Sequence, residues 1–314
     1  MFLFDSISLQ AGLMWFAVLG GLMLINELTR SSKWLSWLFY IAVPVALTLF
    51  VWPDTAGSHS STGTWFHWVK VYSSLAGVLG FMLLRYYPRA ASNKYLLFFP
   101  PLILAVNILE AVIRDFQCYA LYSGADFGAV VNGITMQGGA WNLMNGIAGI
   151  LNILAISGWM GIFISKRGRY RDMIWPDMLW WWIIAYDVWN FAYVYNCVTD
   201  HAFYAGAALL ISCTIPAFLL GKGAWLQHRA QTLALWMMFT MSFPSFSDTS
   251  VFAVKASHST AALWVVSSLS ILLNVAVIAY HVYKIFWFKR NPLKEEIYTD
   301  EPSYLKLALL KSQD

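Results

Sequence analysis

Charge is what this sequence has least of. Asp, Glu, Lys and Arg make up 11% of its 314 residues, against about 25% in ordinary soluble domains, which excludes a water-soluble globular fold. Cysteine is scarcer still: Cys118, Cys197 and Cys213, with no CxxC pair. That is too few for a disulfide scaffold or a thiolate zinc site. No P-loop, no GxGxxG and no HExxH occurs, so the usual devices for nucleotide binding and zinc hydrolysis are missing. The histidines (His59, His67, His201, His228, His258 and His281) are scattered, with none at helical i,i+3 or i,i+4 spacing. His67, Asp187, His201 and His258 could meet at one face, but the spacing does not gather them, and neither a metal nor a cofactor is expected. The last apolar run has no lysine before Lys284, which excludes a deep retinal Schiff base. The opening "MFLFDSISLQ" lacks the basic region of a cleavable signal. The net charge of +4 comes from basic residues dispersed in short connections, so no nucleic-acid partner is expected.

What is there is apolar and aromatic. The apolar share is 59%, with 17 Trp, 16 Tyr and 21 Phe, residues that anchor chains at lipid–water interfaces. Runs long enough to cross about 30 Å of hydrocarbon recur along the chain. The expected fold is all-α: a polytopic transmembrane helical bundle over 1–287, followed by a tail at 288–314. About nine spans are expected, near 9–28, 34–52, 64–86, 95–113, 140–164, 174–197, 202–221, 230–243 and 260–287. The eighth is short, which leaves eight spans possible. Of the 20 Lys and Arg, all but Lys70, Arg114 and Lys255 then fall on one side. The positive-inside rule puts the N-terminus outside and the C-terminus in the cytoplasm.

The two long outer connections, 114–139 and 244–259, are rich in Gly, Ser and aromatics rather than charge. They can fold back as lids or remain plain loops. The stretch "YDVWNFAYVYNCVTDH" puts Asp187, Asn190, Asn196, Asp200 and His201 into an otherwise membrane-spanning segment. At 100° per residue, Asp187, Asn190, Cys197 and His201 share an arc of about 80°. Other spans carry stripes too: His67, Lys70 and Ser74; Asn107, Glu110 and Arg114; Asn142, Asn145, Gly149 and Asn152; Ser267, Ser270, Asn274 and His281. Polar stripes turn inward rather than toward lipid, so five helices can line one outward-facing cavity. The candidate solute-binding residues are His67, Lys70, Glu110, Asn142, Asn145, Asp187, Trp189, Asn190, Tyr193, Asn196 and His201.

Plainer readings stand beside this one. Glu110 and Arg114 at i,i+4 can be an interfacial ion pair. Asn and Ser stripes serve as interhelical glue in many bundles. His201, Asp200 and Lys255 fit solvated loops. Asp187 lies about 15 Å before the end of its span by helical rise, and a carboxylate at that depth needs a partner. Lys70 is the expected one. Trp189, Tyr193 and Tyr195 could form an aromatic box. Cys118 and Cys197, both expected near the outside, could pair or stay free thiols.

"DVWNFAYVYNCVTDHAFY" and "GGAWNLMNGIAG" resemble an uncharacterised family of bacterial integral-membrane proteins, which implies a bacterial cytoplasmic-membrane location and supplies no function to carry over. Trp and Asn around a central cavity also resemble small-solute carriers of the SWEET and nicotinamide-riboside type, without their three-helix repeats. The leading expectation is a carrier or channel for a small polar or cationic solute, with Asp187 and Glu110 supplying negative charge and Pro100, Pro101 and Pro216 acting as hinges. Membrane lipids and that solute are the expected partners. An intramembrane enzyme acting on an amphiphilic substrate, with His67, Lys70, Asp187 and His201 as acid–base groups, is the alternative. A membrane sensor is the third. A cavity sealed beneath Asp187 favours the enzyme or sensor; continuity toward Asn274 and His281 favours transport.

Overall fold

Ser8 opens the first helix by accepting a hydrogen bond from the Ala11 N–H at 3.1 Å, which satisfies one of the helix's four free donors. Helix α1 then runs Leu9–Ser31, and Ser32 ends it and caps α2, Lys33–Phe50. Pro44 lies inside α2, and the turn before it, Leu38–Ala42, widens so that the Val43 N–H reaches back to the Leu38 carbonyl. This π turn relieves the clash between a proline ring and the carbonyl four residues earlier. The remaining helices are α3 (Trp65–Tyr86), α4 (Leu96–Tyr122), α5 (Ala140–Leu154), α6 (Trp180–Cys197), α7 (Thr199–Leu219), α8 (Trp225–Ser242), α9 (Thr260–Phe288) and α10 (Pro302–Ser312). Two short hairpins, β1–β2 at 130–135 and β3–β4 at 163–174, are added to them. The computed structural model describes residues 2–166 and 170–312; Arg167 and Arg169, counted above with the basic connections, lie outside the described residues.

Helices α1, α2, α3, α4, α7 and α9 are long and apolar enough to cross a membrane. By helical rise, α5 is about 22 Å long and α6 and α8 are about 27 Å. Several expected boundaries move. The fourth helix continues to Tyr122 instead of stopping near 113, because Asp115 finds a buried partner in Asn142 while Gln117 accepts from Arg114 and Trp65. The fifth stops at Leu154, where the chain turns through Gly158 (φ 61°) into β3–β4. The eighth starts at Trp225, five residues before the expected 230. The loop at 123–139 holds β1–β2, turned by Asn132 and Gly133, both at positive φ (51° and 81°), as a two-residue Asn-Gly hairpin requires.

Among the described residues two large hydrophobic cores form, beside two small clusters around Tyr298 and Leu307. One gathers Ile108, Ala148, Trp189 and Leu263 from α4, α5, α6 and α9. The other gathers Leu22, Tyr40, Val71 and Met238 from α1, α2, α3 and α8. Close approach in the first core depends on Gly149: a Cβ there would lie 2.5 Å from Val112 Cγ2 and 2.7 Å from Trp189 Nε1. Helices α1 and α2 expose Leu13, Phe16, Trp34 and Phe50, an apolar surface suited to lipid.

The end of the bundle that carries β3–β4 and α10 is closed by the C-terminal segment. Asp177 accepts from the Ile297 N–H at 3.0 Å, the Tyr298 N–H at 2.9 Å and the Ser157 hydroxyl. Lys284 holds Asp300 at 2.6 Å and Glu301 at 2.8 Å. At the far end, Phe4 bridges Ala256 in a two-residue antiparallel contact.

Candidate functional site

The seam between the two cores is where the apolar packing is incomplete. A cavity of ≈ 60 Å³, measured as the space open to the centre of a water molecule, lies between α3, α4, α6, α7 and α8. The space is ample for a few waters or a small solute. A second cavity of ≈ 30 Å³ continues it toward Phe81, Leu104 and Leu226. Asn107, Tyr186, Arg229 and Leu233 line both.

Helix α3 sends in His67 and Lys70 on one face. His67 Nδ1 is 2.8 Å from the Thr64 hydroxyl. Lys70 Nζ lies 2.7 Å from Glu110 Oε2 and donates to the Asn107 carbonyl at 2.7 Å. At the far end His201 Nε2 meets Asp248 Oδ1 at 2.8 Å, and Asp248 Oδ2 accepts from Ser61 at 2.7 Å. Helix α8 sends in Arg229. Its Nε donates to the Tyr186 hydroxyl and its Nη2 to Asn190 Oδ1, both at 3.2 Å, while Nη1 is buried without a partner. The Tyr193 hydroxyl, on a residue lining the same cavity, is likewise buried and unpaired.

Of the candidate residues, His67, Lys70, Asn190, Tyr193 and His201 line the cavity. Glu110 touches it only through Lys70 and Ser73. Asp187 faces elsewhere: it accepts from the Thr214 hydroxyl at 2.7 Å and lines an apolar groove with Phe2, Phe191 and Val265. The expected Lys70–Asp187 pair is not formed, because Glu110 sits one helix closer to Lys70. The negative charge expected of Asp187 and Glu110 is therefore not on offer to a ligand in the cavity.

The other four candidates build a separate polar seam. Asn142 and Asn145 donate to Asp115 at 3.0 and 2.7 Å, and the Cys197 thiol reaches the same carboxylate at 3.3 Å. Trp189 Nε1 donates to the Asn145 carbonyl, Asn196 to Ser267 and Ser270 to Asn145. Deeper along the same seam Asn152 donates to Asn274 at 2.9 Å. Cys118, Cys197 and Cys213 are free and buried. Among the described residues, no three His, Cys, Asp or Glu side chains gather as a metal-binding group.

Sequence reasoning missed Asp115 and Arg229. Asp115 was assigned to a loop beyond the fourth span, and Arg229 to a connection before the eighth. Helical spacing carries the signal for Arg229: with Leu233, Trp236, Met237 and Thr240 it forms one continuous face, and all five line the cavity.

Outside the helices, burial would lift the Asp248 carboxyl, but its hydrogen bond and attraction to His201 prevail and hold it below the usual range. The hydrogen bond to Asp200, whose Oδ1 is 3.2 Å away, raises His258. Burial pushes Asp177 up to about 6 against its three hydrogen bonds.

No curated protein and no solved structure matches the chain. With a helical fold, six helices fit to cross a membrane and a match over residues 5–309, the chain belongs to DUF5692, a family of unknown function.

Proposed function

We propose that this protein is a multi-pass membrane carrier that passes a small polar solute along the seam between its two cores. The observation that carries the reading is the pair of cavities placed end to end and joined at Arg229, Tyr186, Asn107 and Leu233. On α3 the lining runs from His67 to Phe81, about 21 Å by helical rise, most of the way through a bilayer. Continuity of this kind favours transport over a pocket sealed at one end, although it follows α3, α4 and α8 rather than the route toward Asn274 and His281.

In this reading α5, α6 and α8 cross together with the six helices named above, and lipids cover the exposed apolar faces. The distribution of Lys and Arg supports a cytoplasmic C-terminal segment and an outer end at His67 and His201. Resemblance to bacterial membrane proteins supports a cytoplasmic-membrane location.

Reconstitution in liposomes tests the carrier. Osmotic swelling is recorded with small solutes that are neutral, anionic or cationic, and with Ala111→Leu, which fills the first cavity from a buried wall position. Swelling faster than in protein-free vesicles for at least one class, lost in Ala111→Leu, is expected. Swelling equal to that of protein-free vesicles for every solute overturns the reading.

A further inference from the structure

Arg229 is a buried cation without a carboxylate in contact. It is 4% exposed, and its donors reach only the neutral Tyr186 and Asn190. A guanidinium is charged at every accessible pH and has five N–H groups. Two are used, on the Nε–Nη2 side. What remains is the pair on Nη1 and the second N–H of Nη2, which together form the end-on fork that matches two oxygens of a planar oxyanion. Nη1 itself has no partner in the protein.

The groups around Arg229 decide the sign of the ligand. Lys70 is neutralised by Glu110 at 2.7 Å. At the far end Asp248 is engaged by His201 and Ser61. Asp187 lies within Arg229's electrostatic reach but hydrogen-bonds Thr214 and lines a different groove. Among the described residues, no Asp or Glu lines either cavity. A cation entering this space meets a guanidinium with no carboxylate in contact, whereas an anion supplies the missing contact. Size sets the second limit: a space of ≈ 60 Å³ open to water centres suits a small ligand.

We propose that Arg229 is the anion-binding residue of the cavity and that its ligand is a small planar oxyanion of single charge, of formate or acetate size. The Tyr193 hydroxyl, unpaired on the same wall, is a further donor for it. This assignment rests on reading the seam as a solute path, and the test separates the two.

Purified protein in detergent is titrated with sodium formate, sodium acetate, sodium chloride and methylammonium gluconate at constant ionic strength made up with sodium gluconate. The readouts are melting temperature and calorimetric affinity. Formate or acetate is expected to raise the melting temperature, and Arg229→Gln to weaken the affinity at least tenfold. Because Arg229→Gln removes a buried charge and risks misfolding, Asn190→Asp is the second variant. It places a carboxylate 3.2 Å from the guanidinium and is expected to abolish formate binding while leaving the ligand-free melting temperature unchanged or higher. Binding of chloride alone overturns the planar fork, and binding of methylammonium alone overturns the anion assignment. So does formate binding that Asn190→Asp leaves intact, or the failure of all four salts to shift melting. Formate binding without formate flux in liposomes keeps the anion site and removes the carrier. Flux of a neutral solute, with neither formate nor acetate shifting the melting temperature, keeps the carrier and removes the anion site.

Discussion

Lys70 Nζ lies 2.7 Å from Glu110 Oε2, with both side chains almost fully buried. That pairing, rather than one with Asp187, leaves Arg229 as the charge the cavity has not balanced. Breaking a buried pair from one side costs about 3–5 kcal/mol, because the remaining charge is stranded. Glu110→Gln and Lys70→Met should each lose about that much in denaturant unfolding. The double variant should lose clearly less than the sum. Additive losses in the cycle would show that the two residues act independently and would sink the pairing.

Asp115 gives a contrasting expectation. It accepts from Asn142, Asn145 and Cys197, and Asp115→Ala strands all three donors. At about 1 kcal/mol or more for each buried unsatisfied group, the loss should be about 3 kcal/mol. Solute affinity in the seam should be unchanged, because Asp115 lines neither cavity. A mild loss of stability with a large loss of affinity would mean that this polar seam, not the one around Arg229, is the solute site.

These two cases also show where the sequence could be read and where it could not. The helical class and the inward turn of His67, Lys70, Asn190, Tyr193 and His201 follow from periodicity, which a bundle cannot evade. Partner choice does not follow from it. Asn142 and Asn145 share a stripe whether they face a cavity or a carboxylate, and only the continuation of α4 past residue 113 puts Asp115 opposite them. Arg229 was hidden by a hydropathy rule that ends spans at charge. The neighbouring Gln227 and His228 are buried too, holding Asp172 and Asn26, so tertiary contacts extend the helix beyond the apolar run. The Asn132–Gly133 turn carries its signal in the dipeptide, which the reading of 114–139 as a lid or plain loop passed over.

The far-end loop at 244–259 should respond to pH through two opposed groups. His258 is raised by its hydrogen bond to Asp200. A raised folded value contributes stability that is complete below the unfolded value of about 6.5 and lost as pH climbs through the folded one. Asp248 is lowered, on balance, by His201. Its contribution is complete above about 3.9 and lost as pH falls through the depressed value. Both therefore hold between about pH 4 and 6.5. Hydrogen exchange at residues 249–257, corrected for intrinsic rate, should show greater protection at pH 6 than at pH 9, and His258→Ala should remove the difference. Equal corrected protection at both pH values in the native protein would rule the His258–Asp200 bridge out as the fastener.

At the opposite end Asp177 joins the C-terminal segment to the bundle by accepting from Ile297, Tyr298 and Ser157. Asp177→Ala removes the acceptor for two backbone N–H groups at once, so trypsin should cut faster near Lys289, Arg290 and Lys294, while the helices stay intact. Burial raises this carboxyl to about 6, above its unfolded value of about 3.9. The native state therefore binds the proton more tightly than the unfolded chain, and stability from this group is complete below about pH 4. It declines as pH rises through 6. Compared with Asp177→Asn, which cannot ionise, the native protein should lose melting temperature between those two pH values. Parallel profiles for the two proteins would mean that Asp177 does not titrate in its buried site and that the segment is held chiefly by Lys284 with Asp300 and Glu301.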